Sequence, residues 1–252
     1  MKTEHWLVKY SRKVNAELAT AEVRLVDDLA CNALVVDIDR YPHAFVLACC
    51  MDRQISSDRA WRIPSVIKGL YKEFTIDELS EVALEDYKKF FREETLHRYN
   101  DTMAEVFYKA VHRIKDQYDG DASRIWQDHP SSAAIVYRFL QFDGVGVKIA
   151  NMAANILARQ FGVKFSDYYS IDVSPDVHVF RIFERTGLTE KGASRDEVIY
   201  KARELNPEFP GIIDAACWRI GRQFCHPSSP DCEHCPVSAD CPKLISIDPS
   251  KK

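Results

Sequence analysis

Glycine is scarce in this 252-residue chain: there are nine, against eleven prolines, and no internal repeat is visible. That excludes collagen-like and low-complexity architectures. No segment approaches eighteen uncharged apolar residues, so no membrane-spanning helix is expected. The opening stretch, "MKTEHWLVKY", lacks the apolar core of a secretory signal, and a reducing compartment is expected. Disulfides are then not expected, and the eight cysteines need another role. An excess of positive charge is missing too. The formal net charge is -4, so any binding of a polyanion would need a local basic face.

What is present is mostly helical pattern. Residues 76–92, "IDELSEVALEDYKKFFR", and 101–115, "DTMAEVFYKAVHRIK", repeat apolar positions at three- and four-residue steps. "DHPSSAAIVYRFL" carries start signals at Asp128, Pro130 and Ser131, then an apolar run. "NALVVDIDRYP", near residues 32–42, fits a short strand or the end of a helix. No train of alternating strands is found. Linkers are expected at residues 39–43, 117–130 and 162–175. The last is long for a helical protein and is a candidate functional loop.

Two stretches carry chemistry. Residues 225–241, "CHPSSPDCEHCPVSADC", space Cys225, Cys232, Cys235 and Cys241 as C-x6-C-x2-C-x5-C. Four thiolates so close together can wrap one metal centre, and both iron–sulfur clusters and structural zinc take four. The spacing lacks the long arm of the common zinc pattern. Cys31, Cys49, Cys50 and Cys217 lie in apolar surroundings and read as small buried hydrophobes.

The second stretch is "FDGVGVKIA". Gly144, Val145 and Gly146 form a turn between helices expected near residues 132–142 and 147–160, and Lys148 stands in the first turn of the second. Such a turn lets backbone N–H groups approach a phosphate, and the helix N-terminus adds its dipole. The arrangement grips a DNA backbone without reading its sequence. A plain tight turn between helices has the same glycines.

Taken together, the hairpin and the cysteine tail resemble the endonuclease III family of helix–hairpin–helix DNA glycosylases. The family hairpin reads like L-P-G-V-G-x-K-T-A, which puts its lysine on Lys148. A segment like V-D-T-H-I-F-R-V matches "PDVHVFRIF" and puts its aspartate on Asp176. "MDRQISSDRAW" resembles S-A-Q-x-T-D and puts a DNA-inserting glutamine on Gln54. "TLHRYNDTMAEVFYKAVHRI" resembles G-L-Y-x-x-K-A-x-x-I and puts a wedge on Leu96, with His97 beside it. "WRIGRQFC" resembles the approach to the first cluster cysteine. The match runs from about residue 43 to 242. Asp143 departs from the hairpin proline, Ile149 from the threonine and Thr95 from the glycine before the wedge.

The resemblance implies an all-α fold in two lobes. Residues 42–160 would form a helical barrel domain with the hairpin. Residues 1–41 plus 161–252 would form a domain holding a [4Fe-4S] cluster on Cys225, Cys232, Cys235 and Cys241. Lys148 and Asp176 would face each other across a DNA cleft. It further implies a monomeric enzyme acting on duplex DNA with a damaged base or abasic site, cytoplasmic and nucleoid-associated in a prokaryote. A base inside a duplex cannot be attacked at C1′ until its nucleotide is turned out. Gln54 and Leu96 would hold the gap, and Gly144, Val145 and Gly146 the backbone. Lys148 would be the nucleophile and Asp176 its carboxylate partner, favoured over Asp172 by the helix start that follows it. The expected activity is excision of a damaged base, an oxidised pyrimidine by expectation, followed by 3′ strand cutting through β-elimination. The alternatives are a monofunctional glycosylase for a mismatched or purine-lesion base, and a non-catalytic iron–sulfur DNA-binding module.

Overall fold

The structure is a computed structural model and describes residues 5–71 and 73–245. Among the described residues it is all-helical, with no strand. In chain order the α-helices are α1 (Trp6–Thr20), α2 (Leu29–Val36), α3 (Pro42–Met51), α4 (Ser57–Lys68), α5 (Ile76–Ser80), α6 (Leu84–Glu93), α7 (Asn100–Tyr118), α8 (Ser132–Leu140), α9 (Val147–Arg159), α10 (Val177–Arg185), α11 (Arg195–Leu205) and α12 (Asp214–Gln223). Among the described residues no helix is long and apolar enough to cross a membrane.

The chain forms two compact units. One, the hairpin unit, comprises Glu22–Pro130 and Ala134–Ala153. The other, the cysteine unit, comprises Met1–Ala21, Ser131–Ala133 and Ala154–Lys252. The all-α expectation holds, and several boundaries differ in detail. The helix expected over residues 76–92 is two helices. Thr75 and Glu78 close a capping box on α5, and α6 restarts after Ala83. The open stretch near residues 32–42 is helix to Val36, and a new helix begins at Pro42, where proline's fixed φ suits the first turn.

The hairpin unit is built around α3. All ten of its residues are buried, which is why "PHAFVLACCM" shows no amphipathic period. The Phe45 ring meets Trp61, Trp126 and Phe139 at centroid distances of 5.7, 6.1 and 6.4 Å. Each such fully buried side chain contributes about 1.5–3 kcal/mol by leaving water. A buried helix ends with its polar residues at the rim, and α3 delivers Asp52, Arg53 and Gln54 there.

The cysteine unit packs Leu7, Val8 and Val14 of α1 with Val179, Ile182 and Phe183 of α10 and with Ile220 of α12. α10 and α12 approach closely at Gly221. A Cβ there would stand 2.6 Å from Nδ1 of His178, so only glycine fits. From Cys225 to Ile245 the chain has no regular element, as its composition implies. Cys49, Cys50 and Cys217 are fully buried as expected, whereas Cys31 is only half-buried.

Candidate active site and cysteine cavity

The hairpin forms as its glycines dictate. Gly144 has φ +77°, and a Cβ on it would press to 3.3 Å from Cγ2 of Val106 and 3.8 Å from Nη1 of Arg53. The Val145 amide donates to the Phe142 carbonyl at 3.1 Å, closing the turn. The Ala150 amide donates to the Gly146 carbonyl at 3.0 Å, opening α9. Gly144 and Gly146 are exposed, and Val145 is buried beneath them. Phe142 anchors the turn by stacking on Tyr118, with ring planes 3° apart. Asp143, which stands where the family has proline, pairs with Nζ of Lys109 at 3.0 Å. Its negative charge at the turn therefore has a cation opposite it.

Lys148 is half-buried in the first turn of α9. Asp52 is close enough in the same unit for the two charges to interact, and its side chain is buried. Burial pushes the Asp52 carboxyl above the usual carboxylate range, and the Lys148 charge pulls it partly back. Sequence reading missed Asp52. A polar residue just after a buried helix reads as an end cap, and its apolar surroundings are not visible in one dimension.

Gln54 is exposed and has a left-handed backbone, φ +57°. Its Oε1 accepts a hydrogen bond from the Tyr99 phenol at 3.0 Å. Leu96 and His97 are buried, at 6% and 1% exposure, while Tyr99 on the same loop is 42% exposed. Arg59 donates from Nε to the Leu96 carbonyl at 3.1 Å and from Nη2 to the Thr95 carbonyl, clamping the loop from below. The His97 amide donates to Oδ1 of Asn100, and the His97 ring accepts from the Tyr99 amide at 3.1 Å. Burial lowers the His97 pKa, which suits a neutral, accepting ring.

In the cysteine unit, Asp176 caps α10. Its Oδ1 accepts from the amides of His178 and Val179 at 2.8 and 2.9 Å. Asp172 is buried and forms a bidentate pair with Arg203, both distances 2.8 Å. That guanidinium occupies both Asp172 oxygens, whereas both cap bonds of Asp176 fall on one oxygen. His178 serves the structure: its Nδ1 meets Nη2 of Arg181 at 2.9 Å, under Gly221.

Cys225, Cys232, Cys235 and Cys241 line one cavity, walled by apolar side chains that include Trp6, Ile182 and Val237. Burial, then repulsion from the neighbouring sulfurs, raises the thiol pKa of Cys235 and Cys241. Arg185 donates from Nη1 to Sγ of Cys225 at 3.2 Å and to the His226 carbonyl at 2.7 Å, so a cation stands against one of the four sulfurs. Among the described residues no three His, Cys, Asp or Glu groups are arranged to hold a single metal ion. Four thiols on one apolar cavity, with a guanidinium on one of them, are a donor set that fits a thiolate-bound metal centre.

No protein-family model matches the chain. It is 33% identical over 104 residues to endonuclease III of Rickettsia felis, covering 40% of this chain and 43% of that one. The match therefore spans less than half of that relative's own length. Among solved structures, a trapped endonuclease III–DNA covalent intermediate has a TM-score of 0.59 at 21% identity, covering 97% of this chain and 98% of that one. A thermostable thymine-DNA glycosylase has a TM-score of 0.63 at 15% identity, covering 95% and 97%. The fold of this chain is that of the helix–hairpin–helix DNA glycosylases, with sequence similarity to endonuclease III over a part of its length.

Proposed function

We propose that this protein is a bifunctional DNA glycosylase of base excision repair. It removes a damaged base, an oxidised pyrimidine, from duplex DNA and cuts the abasic site on the 3′ side by β-elimination. The observation that carries this reading is the lysine in the first turn of α9, beside the buried carboxyl of Asp52, in a chain with this fold. The protein works as a monomer with the chromosomal DNA.

A lysine amine in water is almost wholly protonated at neutral pH and cannot attack carbon. The positive end of a helix disfavours a cation, and a buried carboxyl that binds its proton readily is a suitable acceptor. The deprotonated Lys148 Nζ attacks C1′ of the extruded nucleotide, and the bond to the base breaks. The base leaves with the electron pair and takes up a proton. Asp176 supplies the carboxylate that offsets positive charge growing on the sugar. The C1′–O4′ bond of the adduct then breaks, O4′ leaving as a hydroxyl with a proton and the nitrogen lone pair forming the C=N bond of a Schiff base. This acidifies the sugar's C2′ hydrogen, and loss of that proton expels the 3′ phosphate. Gly144 and Gly146 hold the backbone through their amides, while the Val145 amide is committed to the Phe142 carbonyl and keeps the turn closed. Gln54 meets the base left unpaired. Cys225, Cys232, Cys235 and Cys241 would hold a [4Fe-4S] cluster, which supplies a covalent cross-link for the tail. Four thiolates leave no open position for a reactant, so no chemical step runs through it.

A panel of duplexes, each with one lesion, tests the reading. Base release and strand scission are expected together, and fastest on an oxidised pyrimidine. Release without scission favours a monofunctional glycosylase. Binding without release favours a non-catalytic module.

A further inference from the structure

The hairpin unit holds one loop whose exposed and buried side chains point to a different DNA contact from the one its motif suggests. A side chain that fills a gap in a base stack must already stand in solvent, present an apolar face and sit on a held backbone. Leu96 is 6% exposed, and Arg59 is hydrogen-bonded to its own carbonyl at 3.1 Å. Bringing Leu96 out would open that clamp and empty its place in the core. Three residues on, the Tyr99 ring is 42% exposed. The exposed Arg98 lies over it, guanidinium to ring centre 5.4 Å, which supplies a cation for an adjacent phosphate. The Tyr99 phenol is already bonded to Gln54 at 3.0 Å. The backbones that carry this contact are strained on both sides, with φ +57° at Gln54 and +50° at Thr95. Non-glycine residues keep such φ values only where their surroundings enforce them, and they cluster at ligand-contacting sites.

We infer that Tyr99, and not Leu96, is the side chain this unit inserts beside a vacated nucleotide, and that its phenol orients the Gln54 amide toward the orphaned base. The inference rests on the proposed glycosylase function. An aromatic face stacks on any base, so the ring supplies affinity, and the amide held by the phenol supplies discrimination of the partner.

The test uses the full chain and a fluorescent duplex with a tetrahydrofuran abasic-site analogue, set against the same duplex undamaged. Wild type binds the analogue duplex more tightly. Tyr99→Ala loses about tenfold of that preference, the scale of one lost base–aromatic stack. Tyr99→Phe keeps the preference but levels the differences among the four bases placed opposite the analogue. Tyr137→Ala, a more exposed tyrosine on α8, changes neither quantity. Melting curves confirm that each variant is folded. A folded Tyr99→Ala with wild-type preference overturns the inference and leaves the glycosylase reading standing. So does a preference lost in Leu96→Ala but kept in Tyr99→Ala. A wild type with no preference for the analogue removes the function reading, and the inference with it.

Discussion

The two units solve the same problem, holding polar groups in place, by opposite means. In the hairpin unit the groups stand at the rim of a helical core. α3 is buried along its whole length, and the residues that follow it, Asp52 to Gln54, are positioned by packing beneath them. In the cysteine unit the described residues after Cys225 have no regular element, and among them Val237 alone belongs to the buried core cluster. Hydrophobic burial suffices for the first region. In the second, Arg185 ties Cys225, His226 and Pro227 together, and the proposed cluster would add a cross-link through the four sulfurs. A core lets a site tolerate one lost contact, whereas a tail held through one shared centre would fail as a whole.

The sharpest way to break that comparison is Cys235→Ser. Iron content should fall from about four atoms per chain toward zero. Hydrogen exchange should show residues 225–245 losing protection while α3 keeps its own. If α3 loses protection to the same degree, the two regions are not held by different means.

A smaller but still large effect belongs to Leu96→Ala. The leucine fills the core under a clamped loop, so its removal should cost about 3 kcal/mol. For a domain of this size that corresponds to a melting temperature roughly 9 °C lower. A change below about 2 °C would show that the side chain is not part of the packing.

The smallest effect concerns Asp52, and it runs the other way. Its folded pKa is raised by burial, so it binds its proton more tightly in the folded state. The stability from that group is full below the unfolded value of about 3.9 and is lost as pH rises through the folded value. At pH 7 the ionised carboxylate therefore opposes folding. Asp52→Asn should raise the melting temperature at pH 7 by on the order of 2 °C, with the gap closing toward pH 4. A gap that widens in acid would reverse the assigned direction.

Much of the helical architecture was legible. α7 falls within a few residues of where its apolar period places it, and α8 and α9 fall where the start signals and the glycine turn place them. α3 was not legible as a helix, since a segment buried on all sides has no period to read. The break between α5 and α6 was hidden because Val82 and Ala83 continue the apolar rhythm through the turn. Within the candidate site, the hairpin and the four cysteines announced themselves by spacing. The exposure of Tyr99 and the burial of Leu96 and Asp52 did not, because both are properties of the packed chain. The helix start after Asp176 was readable in the sequence, whereas the pairing of Asp172 with Arg203, thirty-one residues apart, was not.

The central claim is that the Lys148 amine forms the bond to the sugar. Incubating the protein with abasic duplex DNA and borohydride, which reduces a Schiff base to a stable amine, measures that bond directly. Wild type should give one covalent protein–DNA band, and folded Lys148→Ala none, while Lys164→Ala on the exposed loop after α9 should match wild type. A covalent band of undiminished strength from Lys148→Ala would contradict the account.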